Sequence, residues 1–221
     1  FTGWSDYLAI SLPSIVMLVA EGWAFNVMGV FAGLISVTDQ AANTILLMIV
    51  SVMFMFPLGI QSAAGAIIGE QIGANRVAVA KDYFKLMSVV CLCVLVLVQL
   101  LVYSLKEKIV RAFTSDDDVI ETTNQAVFII VLAFIPDMIQ GSIQGVIRAL
   151  DAQRKASYIA LAAYYLVSIP VACVLVFSLG MGVEGLWVAM ALGISLQACL
   201  YVRLVMVTDW QQVARDAEQR I

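Results

Sequence analysis

Two acidic residues, Glu21 and Asp137, stand where acids are costly. The chain holds 16 Asp and Glu. Fourteen fall in polar links or at the ends of apolar runs; Glu21 and Asp137 lie near the centres of two separate runs. No Lys or Arg lies near the middle of any run, so neither acid has a basic partner at its own depth. A carboxylate at the centre of a bilayer costs about 2.5–3.5 kcal/mol on insertion scales. Such a residue serves either as a protonated clip hydrogen-bonded between helices or as a proton or cation site facing a water-filled cavity. The second reading fits the neighbours better.

Those neighbours form helical stripes. Asp137, Gln140, Gln144 and Arg148 recur at helical spacing and share one face. Gly141 and Gly145 run beside them and let another backbone approach. Gln61 with Ser62 adds polar groups from a second helix. Met17, Glu21, Phe25 and Met28 make a stripe of thioether, acid and aromatic, with Asn26 on a neighbouring face. Methionine adapts its shape and aromatic faces attract cations, so this wall suits an organic cation. Pro57, Pro136 and Pro170 fall inside apolar runs and are candidate hinges, because each removes a backbone donor. Pro136 puts a deformable point beside Asp137.

Other chemistries are excluded. The chain has no histidine, which removes Ser-His-Asp and Cys-His nucleophiles and HExxH zinc sites. Cys91, Cys93, Cys173 and Cys199 lie in apolar runs and read as small hydrophobes, not metal ligands or disulfides. A net charge of −4 gives no basic footprint for nucleic acid. No cofactor and no enzyme activity are expected. An intramembrane aspartyl protease would need a close carboxylate dyad and its Gly-x-Gly-Asp and Tyr-Asp signatures, which the sequence lacks.

The elements that must position these residues are membrane helices. Apolar residues make up 62% of the 221 and charged ones 13%, about half the share in soluble domains; the mean hydropathy is +0.98. Six stretches reach the roughly 20 residues a span needs: 7–35, 40–68, 83–105, 126–147, 157–177 and 184–207. The fold class is therefore all-α, a six-transmembrane-helix bundle over residues 1–207. Residues 208–221 read as a cytoplasmic tail helix with Asp209 as N-cap and Trp210 as an interfacial aromatic. The third link, rich in acids, is a solvated outer loop with a helix start between Thr114 and Asp118. The chain begins at Phe1 with no signal peptide ahead of the first run and reads as a piece of something longer.

The order and spacing of several motifs resemble the second half of a eukaryotic-type transporter of the multidrug and toxic compound extrusion (MATE) family. They are Leu12-Pro13-Ser14, Glu21 with Trp23-Ala24-Phe25, Pro57-Leu58-Gly59, Gly73-Ala74, and Pro136-Asp137 with Gln140-Gly141 and Arg148. Gln153, Tyr164-Tyr165, Pro170, Gly185-Leu186-Trp187, Gln197 and Thr208-Asp209-Trp210 continue the pattern. It departs at Gly22 and Asn26, where the family often has a second tryptophan and a second acid, and at Ala149, Asp151 and Ala160.

The resemblance implies one lobe of a two-lobe, pseudo-symmetric antiporter that exports organic cations, xenobiotics or metabolites in exchange for H+, in preference to Na+. It makes Glu21 and Asp137 the proton or cation sites. It adds Trp23, Tyr164 and Tyr165 to Met17, Phe25, Asn26, Gln61, Gln140 and Gln144 as cavity candidates. The N-terminal lobe of the same chain and the lipid bilayer are the implied partners. The plasma membrane or a vacuolar or lysosomal membrane is the implied location. A flippase-like relative moving a lipid-linked substrate, and a non-transporting assembly lobe, are the alternatives.

Nine Lys and Arg fall on the side reached by even-numbered helices and three on the other. The positive-inside rule then puts both ends in the cytoplasm. Met181→Cys, in a full-length protein freed of other cysteines, is expected to react with an impermeant thiol reagent added outside. Labelling from the cytoplasmic side alone would reverse the orientation.

Overall fold

The computed structural model describes residues 4–218. Residues 1–3 and 219–221, Phe1 and Arg220 among them, lie outside the described residues. Six helices are long and apolar enough to cross a membrane. They are α1 (Trp4–Ile35), α2 (Val37–Gly73), α3 (Val77–Phe113), α4 (Asp117–Ala149), α5 (Gln153–Ser178) and α6 (Gly182–Val207). A short helix, α7 (Trp210–Glu218), follows. No strand occurs among the described residues. The all-α, six-span architecture read from hydropathy is the one observed.

Helices α2 and α3 have 37 residues each. At 1.5 Å per residue each is about 55 Å long, well beyond a hydrocarbon layer of about 30 Å. Their ends therefore project past the apolar layer, and hydropathy registers only the middle of each.

The bundle is organised around α4. Of its most apolar window 61% is buried, against 22% for α3. Helix α4 packs on α2, α3 and α6, most extensively on α2. Glycine makes the α2–α4 contact possible. A Cβ at Gly145 would run into the Gln61 carbonyl oxygen, and one at Gly141 would meet Pro57 at 3.0 Å and Phe54 at 3.3 Å. The outward faces carry leucines such as Leu92, Leu97 and Leu100. Cys93 and Cys199 share that exposure, Cys91 is buried, and Cys173 is half-buried; all four are free thiols.

Helix α5 is not uniform. It runs as α-helix over Gln153–Leu161, widens to a π turn over Ala162–Ser168, resumes over Ile169–Cys173, and widens again over Val174–Ser178. Pro170 lies between the two π turns. Its missing N–H and its ring, which crowds the carbonyl four residues earlier, favour the wider register there. The Ile169 N–H accordingly bonds the Tyr164 carbonyl, five residues back. Pro57 and Pro136 instead lie within continuous α-helix.

Polar side chains fasten the links. Ser36 caps α2 by accepting from the Asp39 N–H at 2.9 Å. Asp39 Oδ1 accepts from the Val183 N–H at 2.8 Å, so one carboxylate ties the α1–α2 turn to the start of α6. Asp116 caps α4, accepting from the Asp118 and Val119 N–H groups at 3.0 and 3.3 Å. Asp209 caps α7 from the Gln211 and Gln212 N–H groups. Trp210, read from sequence as an interfacial aromatic, is buried instead. It stacks edge-on with Phe84 at 5.8 Å, and its indole N–H donates to the Val205 carbonyl at 3.2 Å.

The α2–α4 contact leaves no room at Gly145. Gly145→Ala is expected to destabilise the full-length protein by about 1–3 kcal/mol through overpacking, read as a lowered midpoint of thermal unfolding. Gly69→Ala, where the nearest atom to a Cβ is 3.9 Å away, is expected to leave the midpoint unchanged. Equal midpoints for both would refute the packing argument.

Candidate functional site

Helix periodicity brings the α1 stripe inward. Met17 and Met28 are buried, Glu21 is 8% exposed, and Phe25 is half-buried against Trp187 with ring centroids 6.3 Å apart. Helix α4 brings Asp137, 5% exposed, with Gln140 and Gln144, both fully enclosed. The close α2–α4 seam and the packing of α4 on α6 seal that stripe inside the lobe.

One amide joins the two acids. Gln140 Nε2 donates to Glu21 Oε1 at 3.1 Å and to Asp137 Oδ1 at 3.0 Å. Its Oε1 accepts from Gln144 Nε2 at 2.8 Å and from Gln197 Nε2 at 3.3 Å. A primary amide has two donors and two acceptor sites, so Gln140 is saturated. Gln144 Nε2 also approaches Glu21 Oε2 at 3.4 Å. The Tyr164 hydroxyl is buried beside Glu21. Neither acid forms a salt bridge; Lys85 and Asp82 pair on the surface. Neutral donors, not a counter-charge, face the carboxyls. Such an array supports negative charge without cancelling it, and a proton on an oxygen that accepts from an amide breaks that hydrogen bond.

Glu21 and Asp137 line one cavity of about 330 Å³ between α1, α2 and α4. Phe25, Phe54 and Met55 supply aromatic and thioether wall, and Ser51 a hydroxyl. Gly22 also lines it, with nothing within 4 Å of its missing Cβ; a tryptophan there would fill space beside Glu21.

The other sequence candidates scatter. Gln61 is buried with its Oε1 unpartnered and lines a different cavity, of about 510 Å³, with Arg148. Met17 packs in a second apolar cluster with Tyr201. Tyr165 is half-buried against the main core. Trp23 and Asn26 stand on the exposed face of α1, outside this cavity, because they lie roughly a half-turn from Glu21. Asn26 donates to the Gly22 carbonyl at 2.7 Å. Sequence reasoning did not single out Gln197 and Tyr201 as site residues. Gln197 donates into the amide network, and the Tyr201 hydroxyl beside it donates to the Ala156 carbonyl at 3.2 Å. Sorting glutamines by depth, as was done for acids, would have found Gln197.

Six membrane helices around a buried acid pair, with no basic partner and an aromatic cavity beside it, define a membrane lobe with ionisable groups inside its apolar layer. The chain belongs to the MatE family, whose model matches residues 13–174. It is 29% identical over 97% of its length to Multidrug and toxin extrusion protein 1 of Danio rerio, covering 36% of that protein. It is 31% identical over 99% of its length to Protein DETOXIFICATION 51 of Arabidopsis thaliana, covering 41% of it. The fold matches that of the eukaryotic MATE transporter AtDTX14 with a TM-score of 0.95 and 26% identity, over 100% of this chain and 50% of that one. The chain thus spans less than half of those two curated relatives and corresponds to one lobe of the solved transporter. It is an integral, multi-pass membrane protein.

Because Gln140 serves both acids, Gln140→Leu is expected to destabilise the full-length protein by about 1–3 kcal/mol through unmet hydrogen bonds. The same change in a Glu21→Gln, Asp137→Asn background is expected to cost less, since no ionisable acid is then left without its donor. Equal losses in both backgrounds, measured by thermal unfolding, would refute the bridging role.

Proposed function

We propose that this chain is the C-terminal lobe of a secondary antiporter that exports organic cations, xenobiotics or metabolites in exchange for protons. Glu21 and Asp137 are the proton and cation sites. The observation that carries the reading is the pair of buried carboxyls on one amide nitrogen, unopposed by any basic group among the described residues. When ionised, the pair attracts a cation into the aromatic cavity. When protonated, it loses that charge and the cation is released. Alternating access then couples the two movements.

One feature favours H+ over Na+. Sodium is held by oxygen ligands, and the amides around the acids turn N–H groups toward them. The Gln140 amide also occupies the ground between the carboxyls where a protease dyad would hold its attacking water, which favours a non-enzyme role.

In this reading the cytoplasmic ends are those near Arg148 and α7, and the membrane is the plasma membrane or a vacuolar or lysosomal one. An N-terminal lobe of the same protein supplies the opposite wall of the substrate path, as in other repeat-built transporters. Pro57, Pro136 and Pro170 are the proposed points of bending.

Glu21→Gln and Asp137→Asn keep side-chain size and fix the neutral state. Each is expected to abolish pH-driven export by the full-length protein in proteoliposomes, a loss of at least tenfold, with expression nearly intact. Removing a costly buried charge is expected to leave stability unchanged or raised. Export at the normal rate in both variants would overturn the assignment.

A further inference from the structure

On α4 and α6 the buried polar side chains nearest the acids lie toward one end, while on the other side α2 and α5 bury Asn43 and Ser168. The Asp39 end holds the α1–α2 turn and the start of α6; the Arg148 end holds α7 and the start of α5. From the acids toward the Asp39 end, the site helices are apolar. Residues 126–136 of α4 and 27–35 of α1 contain no polar side chain, and residues 185–194 of α6 carry only the Trp187 indole N–H. Toward the Arg148 end the same helices bury Gln140, Gln144, Gln197 and Tyr201. From Asp137 to Arg148 the α4 stripe runs eleven residues, or about 16 Å.

That stripe opens at its far end. Arg148 is half-buried and lines two adjoining cavities, of about 590 and 510 Å³. The smaller one reaches Gln61, whose backbone lies against Gly145 beside Gln144. The larger reaches Gln153, one turn before the Ala156 carbonyl that receives the Tyr201 hydroxyl. Along this path the Oε1 atoms of Gln61, Gln153 and Gln197 are buried with no protein donor. Buried acceptors are almost always satisfied, and water is the partner left to these three.

We infer that these amides line a water passage through which Glu21 and Asp137 exchange protons with the Arg148 side of the membrane, apart from the cavity that takes the organic cation. The proton role rests on the antiport reading of the acids; the hydration does not. Water accepts from Gln Nε2 groups and donates to the free Oε1 atoms, so a file of waters carries protons where amides alone cannot. The fixed guanidinium of Arg148 at the mouth repels an organic cation. Exchange with the opposite side uses the cavity between α1 and α2.

Hydroxyl-radical footprinting of the full-length wild-type protein tests the hydration without any substitution. Tyr201, enclosed but on the passage, is expected to be oxidised at least fivefold faster than Met190, which is equally enclosed on the apolar side although methionine is intrinsically more reactive. A rate for Met190 equal to or above that of Tyr201 overturns the passage. Gln197→Cys, with the native cysteines replaced, is expected to react with a small anionic methanethiosulfonate from the Arg148 side at least tenfold faster than Met190→Cys. Equal rates, or faster reaction from the Asp39 side, overturn it. Glu21→Gln and Asp137→Asn separate the two claims. If footprinting keeps its gradient while both variants export normally, the antiport reading falls and the proton role with it. If the gradient is absent while either variant abolishes export, the passage falls and the antiport reading stands.

Discussion

A carboxylate inside an apolar layer must draw its hydrogen bonds from the protein, and the rest of this lobe is arranged to supply them. Gln140 is the hub, with each of its amide valences in use. The hub exists only because α1, α4 and α6 converge, and each contributes residues at helical spacing. Donors in such a setting are worth more than they would be in water, because the low dielectric strengthens each contact and penalises each unmet group. The same condition makes the network responsive. A proton added to a carboxyl oxygen that faces an amide N–H converts an acceptor into a donor, and that amide must give up the contact.

The convergence depends on backbone proximity. Gly145 and Gly141 let α2 lie directly against α4, sealing the stripe from lipid on that side. A larger residue at Gly145 would separate the helices and admit lipid or water beside Gln144. Gly193 does the same for α5 and α6, where a Cβ would collide with the Ser168 hydroxyl. Asp39 works from the far end, fixing the start of α6 to the α1–α2 turn and so setting the height at which Gln197 meets Gln140. These contacts are small in area, yet they decide which polar groups meet.

How much of this was legible in the sequence follows from the range of each interaction. The spans were legible because hydropathy reports a local property that the bilayer imposes along each helix. The α4 stripe was legible because residues at i, i+3 and i+7 share a face whatever the helix packs on. That Glu21 and Asp137 needed attention followed from their depth. What α4 meets from α6 was not legible, because Gln197 lies 57 residues from Gln140 and no local pattern links them. The burial of Trp210 was missed because an aromatic at a span end looks alike whether it faces lipid headgroups or Phe84. The π turns of α5 were equally hidden, since Pro170 signals a disturbance but not whether the helix kinks or widens. Trp23 and Asn26 were grouped with the site by motif, and helical geometry sets them on the other face of α1.

The division of polarity within one lobe bears on how an exchanger avoids leak. If cargo and proton shared one water-filled path, a cation could reach the acids while a proton crossed, and the two fluxes would uncouple. Here the cavity with aromatic walls opens between α1 and α2, while the buried amides lead toward Arg148 through the interior. In the antiport reading the acids are the one place where both meet, so occupancy by one ion is felt by the other through charge alone. The apolar turns of α1, α4 and α6 toward the Asp39 end then act as the dielectric barrier. Those three helices offer a proton no polar side chain there beyond the Trp187 indole, while α2 and α5 bury Asn43 and Ser168 on the same side. In the antiport reading, exchange with that side depends on the cavity facing it, which makes it conditional on the conformation of the whole transporter.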